Sequence, residues 1–117
     1  MKTKYESLSK NLIIGINKDF GEGAVRDEGA LDHIAYETAR TRGVNRKAAT
    51  LLVRIARQHP FFDGNKRTAI ESARTYLKLN GREIVAKENT LFDLVFRVIS
   101  DRYGIDEVTV WIANHTK

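Results

Sequence analysis

A stretch of nine residues stands apart from the rest of the sequence because it gathers several chemically useful side chains: His59-Pro60-Phe61-Phe62-Asp63-Gly64-Asn65-Lys66-Arg67. The imidazole of His59 is of a type that can take up and release a proton near neutral pH, which a general base requires. The carboxylate of Asp63 is a hard oxygen ligand, suited to a Mg²⁺ ion that also bridges phosphates. This half of the stretch therefore indicates a base placed beside a metal ion.

The second half of the stretch has the residue types of a phosphate cradle. Gly64 permits unusual dihedral angles and precedes a predicted helix, whose first amide groups are free and carry partial positive charge. Lys66 and Arg67 add full charges there, and Asn65 can hydrogen-bond phosphate or hold the loop in shape. A base, a metal ligand and a phosphate cradle are what phosphoryl transfer to a hydroxyl needs. Each residue alone also has an ordinary structural explanation, such as a turn or a helix cap, so the interpretation depends on their combination.

Six helical segments that could position this stretch are predicted from apolar spacing and helix-ending residues. They cover residues 4–20, 31–41, 46–58, 66–79, 89–102 and a last segment that begins at 106. The expected N-caps of the last four include Asn45, Asn89 or Thr90, and Asp106. The expected apolar face of the first helix carries Tyr5, Leu8, Leu12, Ile16 and Phe20. The predicted fold is a compact all-α domain covering residues 1–117, with at most a small β element at 24–25 or 83–86.

Composition narrows the classes of function. The chain has 117 residues, 42% hydrophobic and 30% charged, which is typical of one soluble domain. It contains no cysteine, which excludes disulfides, thiolate metal sites and cysteine nucleophiles. Its apolar runs are far shorter than the roughly 20 residues that cross a membrane, and its first residues lack the apolar part of a signal peptide. We therefore expect a cytoplasmic protein without a membrane partner.

The net charge of +5 favours anionic partners such as nucleotides, nucleic acid or an acidic protein, although a solvated basic surface explains it equally well. A non-enzymatic nucleic-acid binder would need its basic side chains on one face. The candidates are scattered over two predicted helices without interleaved aromatic residues: Arg40, Arg42, Arg46, Lys47, Arg54 and Arg57. Nucleic acid is therefore not the expected partner, and a basic binding module remains the last of the alternatives.

Together with Thr68-Ala69, the nine-residue stretch resembles the signature of the Fic/Doc family, His-x-Phe, any residue, Asp or Glu, Gly or Ala, Asn, Gly or Lys, Arg. Every position of that signature is filled here. The upstream segment 20–31 is similar to the glycine-containing segment of Doc-like proteins. The resemblance implies an all-helical Fic fold, with His59 as general base and Asp63 as the Mg²⁺ ligand. It also implies a phosphate cradle, formed by Gly64, Asn65, Lys66 and Arg67. It further implies a flap that pairs with the target segment, formed by Val25, Arg26 and Asp27.

Lys66 bears on the subclass, because AMP-transferring Fic proteins usually have glycine at this position and the Doc branch has lysine. The resemblance to the Doc branch implies a toxin that transfers the terminal phosphate of ATP to a hydroxyl of a target of the elongation factor Tu class. Many Fic proteins carry an inhibitory Ser/Thr-x-x-x-Glu-Gly/Asn motif, and no glutamate here has that spacing. Inhibition is then expected from a separate antitoxin chain. A Fic-type AMP (nucleotidyl) transferase is the alternative within the same fold.

Overall fold

Six α-helices make up most of residues 9–117, the part of the chain that this computed structural model describes. The helices are α1 (Lys10–Asn17), α2 (Glu28–Arg40), α3 (Val44–Gln58), α4 (Asn65–Leu79), α5 (Glu88–Ile99) and α6 (Ile105–Asn114). Isolated β-bridges join Val25 to Phe61 and Ile84 to Thr116, at the two places where an extended piece was expected. The predicted all-α fold class is confirmed.

Helix α3 lies at the centre of the fold and packs against α2, α4, α5 and α6. It is buried nearly all round because small and apolar residues occupy every side of it. Its buried residues are Ala48, Ala49, Thr50, Leu51, Leu52, Val53, Ile55 and Ala56. Near its C-terminal end, Arg57 donates hydrogen bonds to the carbonyl oxygens of Val98 and Tyr103 at 3.1 and 2.6 Å. The end of α3, from which the nine-residue stretch departs, is therefore tied to the C-terminal end of α5.

Helix α4 leaves the other end of the stretch and packs against α1, α3 and α5. Its inner face consists of five buried residues at helical spacing: Ala69, Ile70, Ala73, Tyr76 and Leu77. Tyr76 is among the largest side chains that are almost completely buried. The stretch is therefore a connection between two well-packed helices, each of which fixes one of its ends.

The predicted apolar face of the first helix is wrong at Leu12 and at Phe20, which lies beyond the helix, whereas Ile16 packs against the core as expected. Helix α1 begins at Lys10, with the Ser9 hydroxyl accepting from the Leu12 amide at 3.2 Å, and it ends at Asn17, three residues before Phe20. Leu12 is 42% exposed, whereas Ile13 and Asn17 face the interior. The polar Asn17 is buried because its side chain is fully hydrogen-bonded inside. The predicted positions 5 and 8 lie outside the described residues.

Other helix ends differ from prediction by a few residues because different groups cap them. Helix α2 begins at Glu28, since the Asp27 carboxylate accepts from the Ala30 amide at 2.9 Å. Helices α3 and α6 follow Gly43 and Gly104. The expected caps, two residues further along the chain, therefore lie inside their helices.

Helix α5 also departs from prediction at both ends. It begins at Glu88 after Lys87, ahead of the two expected caps, and it ends at Ile99 instead of continuing to Arg102. The carbonyl oxygen of Arg97 accepts from the amide of Arg102, which is part of the turn that closes the helix. Among the described helices, none combines the length and the apolar character needed to cross a membrane.

Candidate active site

The predicted site residues of the stretch line one cavity of about 350 Å³ between the end of α3 and the start of α4. Its lining residues are His59, Phe62, Asp63, Gly64, Asn65, Lys66, Arg67 and Phe92. The structure thus brings together the predicted base, the predicted metal ligand and the predicted phosphate cradle. Phe62 is 70% exposed at this cavity, and Phe92 reaches it from α5.

His59 combines a fixed backbone with a free ring. It is the C-cap of α3, in the left-handed conformation with φ 50° and ψ 60°. Its amide donates to the Ile55 carbonyl at 3.2 Å, and its carbonyl accepts from Arg26 Nε at 2.7 Å. The imidazole is exposed and has no hydrogen bond or ion pair with any described residue. No contact within the described part of the chain therefore occupies its ring nitrogens.

Asp63 is an exposed carboxylate held at its own backbone. Its Oδ1 accepts from the Gly64 amide at 2.9 Å, and its carbonyl oxygen accepts from Asn17 Nδ2 at 2.8 Å. No group of three or more His, Asp or Glu side chains that could hold a metal occurs among the described residues. Mg²⁺ commonly uses one or two carboxylates together with phosphate oxygens and waters. This donor set therefore fits Mg²⁺ only when phosphates are bound beside it.

Gly64 is the N-cap of α4 and combines a left-handed conformation with a close approach that leaves no room for a Cβ atom. Its φ is +75°, and a Cβ atom there would lie 2.7 Å from the Phe20 carbonyl oxygen. In the same way, a Cβ on Gly21 would lie 2.7 Å from the Asp63 carbonyl oxygen. No side chain from residues 9–117 caps α4, so its first amide groups remain available to an anion.

Asn65 uses its side chain within the loop. Its Oδ1 accepts from the Phe61 amide at 3.0 Å, and its Nδ2 donates to the Phe61 carbonyl at 2.8 Å. Phe61 is buried in the core, so these bonds hold the loop to a fixed point. Of the two roles expected for Asn65, shaping the loop is the one whose contacts are present. A phosphate contact by this side chain stays a prediction.

The two cations of the cradle lie against aromatic rings. Arg67 lies 5.2 Å from the ring centre of Phe20 and 5.5 Å from that of Phe92. The Nζ atom of Lys66 lies 5.8 Å from the ring centre of Phe96. Such cation–π contacts hold a charged group in place without neutralising its charge.

Arg67 also takes part in a ring of alternating charges. It pairs with Glu71 at 3.2 Å and with Glu88 at 3.3 Å, and both carboxylates also pair with Arg74, at 3.7 and 3.1 Å. The side chain of Arg67 is 33% exposed. A phosphate that is to be gripped by Arg67 must therefore compete with these carboxylates.

The three residues expected to form a flap are bonded to the motif loop. Val25 forms a bridge with Phe61, and the amides of Arg26 and Asp27 donate to the Pro60 carbonyl at 2.8 and 3.1 Å. The Asp27 side chain in addition caps α2. None of the three lines the cavity. Their pairing with a target segment stays a prediction.

Sequence reasoning missed Asn17, which is completely buried and contacts the site from α1. Its Nδ2 also donates to the Thr68 hydroxyl at 3.0 Å, and its Oδ1 accepts from the Gly23 amide at 2.9 Å. Apolar spacing could not reveal it, because such spacing places a polar residue on the outer face of a helix. Phe92 was assigned no role either, and only the folded structure shows that it reaches the cavity.

Comparisons with known proteins agree with the resemblance of the motif. The model of the Fic/DOC family matches residues 7–77, a range that contains the whole stretch from His59 to Arg67. The curated Toxin Doc of Mycolicibacterium smegmatis (strain ATCC 700084 / mc(2)155) is 45% identical over 73 residues, which cover 56% of this chain and 56% of that toxin. The chain thus spans about half the length of the curated relative it matches. Because the family match extends over more than half of the 117 residues, the protein belongs to the Fic/DOC family.

Proposed function

We propose that this protein is a Doc-like toxin that transfers the terminal phosphate of ATP to a hydroxyl of a target protein of the elongation factor Tu class. The observation that carries the proposal is that one cavity holds a free imidazole, an exposed carboxylate and the uncapped start of a helix with two cations. The membership of the Fic/DOC family and the similarity to Toxin Doc support it. Such a protein acts in the cytoplasm, where ATP and elongation factors are present.

His59 accepts the proton of the target hydroxyl as the oxygen of that hydroxyl bonds to the terminal phosphorus of ATP. The bond between that phosphorus and the oxygen of the β-phosphate breaks, and ADP leaves. The reaction needs the imidazole in its neutral form. General-base assistance of this kind typically contributes a factor of about 10²–10⁴ to the rate.

The start of α4 binds the phosphates of the donor. Free amides, the Lys66 ammonium and the Arg67 guanidinium all offer positive charge at one end of the cavity. Asp63 would hold Mg²⁺ against the phosphates, and the ion would neutralise part of their charge. A triphosphate carries more negative charge than a single carboxylate, so it can displace Glu88 from Arg67, whose ion pair is half exposed.

Lys66 supports transfer of phosphate over transfer of AMP. A lysine side chain fills space and adds charge where the glycine of AMP-transferring relatives leaves room for an anion. The similarity to Toxin Doc also supports an antitoxin that inhibits the protein in trans. A non-enzymatic basic module would have no use for an imidazole without partners in the same cavity as the cations.

The proposal is tested by incubating the protein with elongation factor Tu and ATP labelled at either the α or the γ phosphate. We expect label to pass only from the γ position, and we expect His59→Ala to abolish the transfer. The control is His33→Ala, which removes an exposed histidine from α2, outside the cavity. Label passing from the α position would instead establish AMP transfer. Full biological effect of the His59→Ala variant would establish a binding module.

A further inference from the structure

Arg26 binds the end of α3 at the point where His59 leaves the helix. Its Nε donates to the His59 carbonyl oxygen at 2.7 Å, and its Nη2 donates to the Gln58 carbonyl oxygen at 2.9 Å. Carbonyl groups at a helix C-terminus lack partners within the helix and carry partial negative charge. A planar guanidinium can satisfy two of them at once through charge-assisted hydrogen bonds, which are stronger than neutral ones.

The backbone of His59 needs such support because it is strained. A residue with a Cβ atom in the left-handed conformation is less stable by roughly 1–2 kcal/mol than in the right-handed one. His59 has φ 50° and ψ 60°, and the proline that follows disfavours a helical conformation at this position. Strained residues persist only where the surrounding structure over-determines them. Here the surrounding bonds come from the Ile55 carbonyl and from Arg26, whose amide also donates to the Pro60 carbonyl.

We propose that Arg26 is a positioning residue for His59: its guanidinium holds the left-handed turn at the end of α3 and thereby keeps the imidazole in the cavity. The inference rests on the proposed function of His59 as the base. It gives Arg26 a role toward its own chain, in addition to any contact that the neighbouring residues make with a target. Without the guanidinium, the His59 backbone can relax to other conformations, and the ring leaves the cavity that it shares with Asp63.

A purely structural role predicts a different result from a positioning role. Arg26 and both of its acceptors are at the surface, so the free energy of unfolding should change little when the side chain is removed. The catalytic rate should change much more, because displacing a catalytic group by about 1 Å costs up to a hundredfold. The cavity residues that bind phosphate are not touched by Arg26, so the KM for ATP should stay the same.

The test compares Arg26→Ala and Arg26→Lys with Arg42→Ala, which removes an exposed arginine from the loop after α2. For Arg26→Ala we expect kcat to fall by about tenfold to a hundredfold with KM for ATP unchanged. The kcat of Arg26→Lys should lie between those of this variant and the unaltered protein, because a single ammonium group cannot bind both carbonyls as well as the planar guanidinium does. Arg42→Ala should match the unaltered protein.

Proton NMR of the histidine rings gives a second readout, which does not depend on activity. The three histidines give separate ring signals, and His59→Ala identifies the signal of His59. We expect that signal to shift or broaden in Arg26→Ala, while those of His33 and His115 stay in place. If Arg26→Ala is poorly folded, Arg26→Lys takes its place in both measurements.

An unchanged His59 signal together with an unchanged kcat overturns the inference and leaves the proposed function intact, provided that His59→Ala is inactive. A raised KM for the target protein with an unchanged His59 signal also overturns it, because Arg26 would then act on the target directly. If the unaltered protein transfers no phosphate at all, the proposed function fails. The NMR signal alone then decides whether Arg26 positions the ring.

Discussion

Replacing Asn17 by alanine removes a completely buried amide that joins three parts of the fold. Its Nδ2 donates to the Asp63 carbonyl at 2.8 Å and to the Thr68 hydroxyl at 3.0 Å, and its Oδ1 accepts from the Gly23 amide at 2.9 Å. Each such bond contributes about 1 kcal/mol net, and partners left without a bond inside the protein add to the loss. We therefore expect the free energy of unfolding to fall by about 3 kcal/mol.

Equilibrium unfolding in urea, followed by the fluorescence of Trp111, measures this loss. For a domain of this length it corresponds to a melting temperature lower by roughly 10 °C or more. The matched control is Asn11→Ala, which removes an exposed asparagine from the same helix and should change the stability by less than about 0.5 kcal/mol. Phosphate transfer should fall in Asn17→Ala even at temperatures where the variant is folded, because the Asp63 backbone loses its donor.

Asn17→Asp separates the donor from the acceptor. The carboxylate still accepts from the Gly23 amide, but it places an oxygen against the Asp63 carbonyl, where the native side chain has an NH₂ group. We expect it to destabilise the protein at least as much as alanine does, since a buried charge is added without an opposite charge beside it. A loss below about 1 kcal/mol in both variants, with an unchanged m-value, would refute the view that this amide anchors the motif loop.

Two further predictions concern the start of α4 and the ring of charges. Gly64→Ala should lower the free energy of unfolding by about 3 kcal/mol, because left-handed strain and contact with the Phe20 carbonyl add up. The control is Gly81→Ala, because Gly81 has nearly the same φ and nothing lies within 4 Å of the new Cβ, so the loss should be only about 1 kcal/mol. Equal losses of the two variants in urea unfolding would contradict a destabilising contact between the Cβ at position 64 and the Phe20 carbonyl. Glu88→Gln should tighten the binding of tripolyphosphate about two- to fivefold in calorimetry. The reason is that Arg67 then loses its half-exposed ion pair with Glu88, so phosphate no longer competes with that carboxylate. Glu83→Gln, on the exposed link before α5, is its control, and unchanged or weaker binding in Glu88→Gln would contradict the competition.

The helices with regular apolar spacing could be predicted from the sequence, and α3 and α4 are the clearest cases. Both were predicted close to their observed bounds, because their apolar residues recur at helical spacing. Helix α1 could not be predicted in this way, since its inward face includes Asn17, which hydrophobicity places outside. A buried polar residue is stabilised by partners far away in the chain, and periodicity contains no information about them.

In the candidate site, too, the residue types could be predicted from the sequence, whereas the contacts between distant residues could not. The residue types from His59 to Arg67 already indicated a base, a metal ligand and a phosphate cradle, and the structure gathers them around one cavity. The sequence did not indicate that both the oxygen and the nitrogen of the Asn65 side chain form hydrogen bonds with the Phe61 backbone. Nor did it indicate that Arg67 pairs with Glu88, which belongs to another helix. Such competing contacts depend on how helices pack, and the local sequence pattern does not determine them.

The motif is held in shape by a segment that contains none of its residues. The side chain of Asn17 binds the backbone of Asp63, the backbone at Gly21 packs against the same residue, and the guanidinium of Arg26 binds the backbone of His59. These contacts reach both the proposed base and the proposed metal ligand, and they all come from the ten residues 17–26. A chain could therefore keep every residue of the signature and still lose the geometry of its site. Whether this chain is active therefore has to be judged from residues 17–26 as well as from the signature.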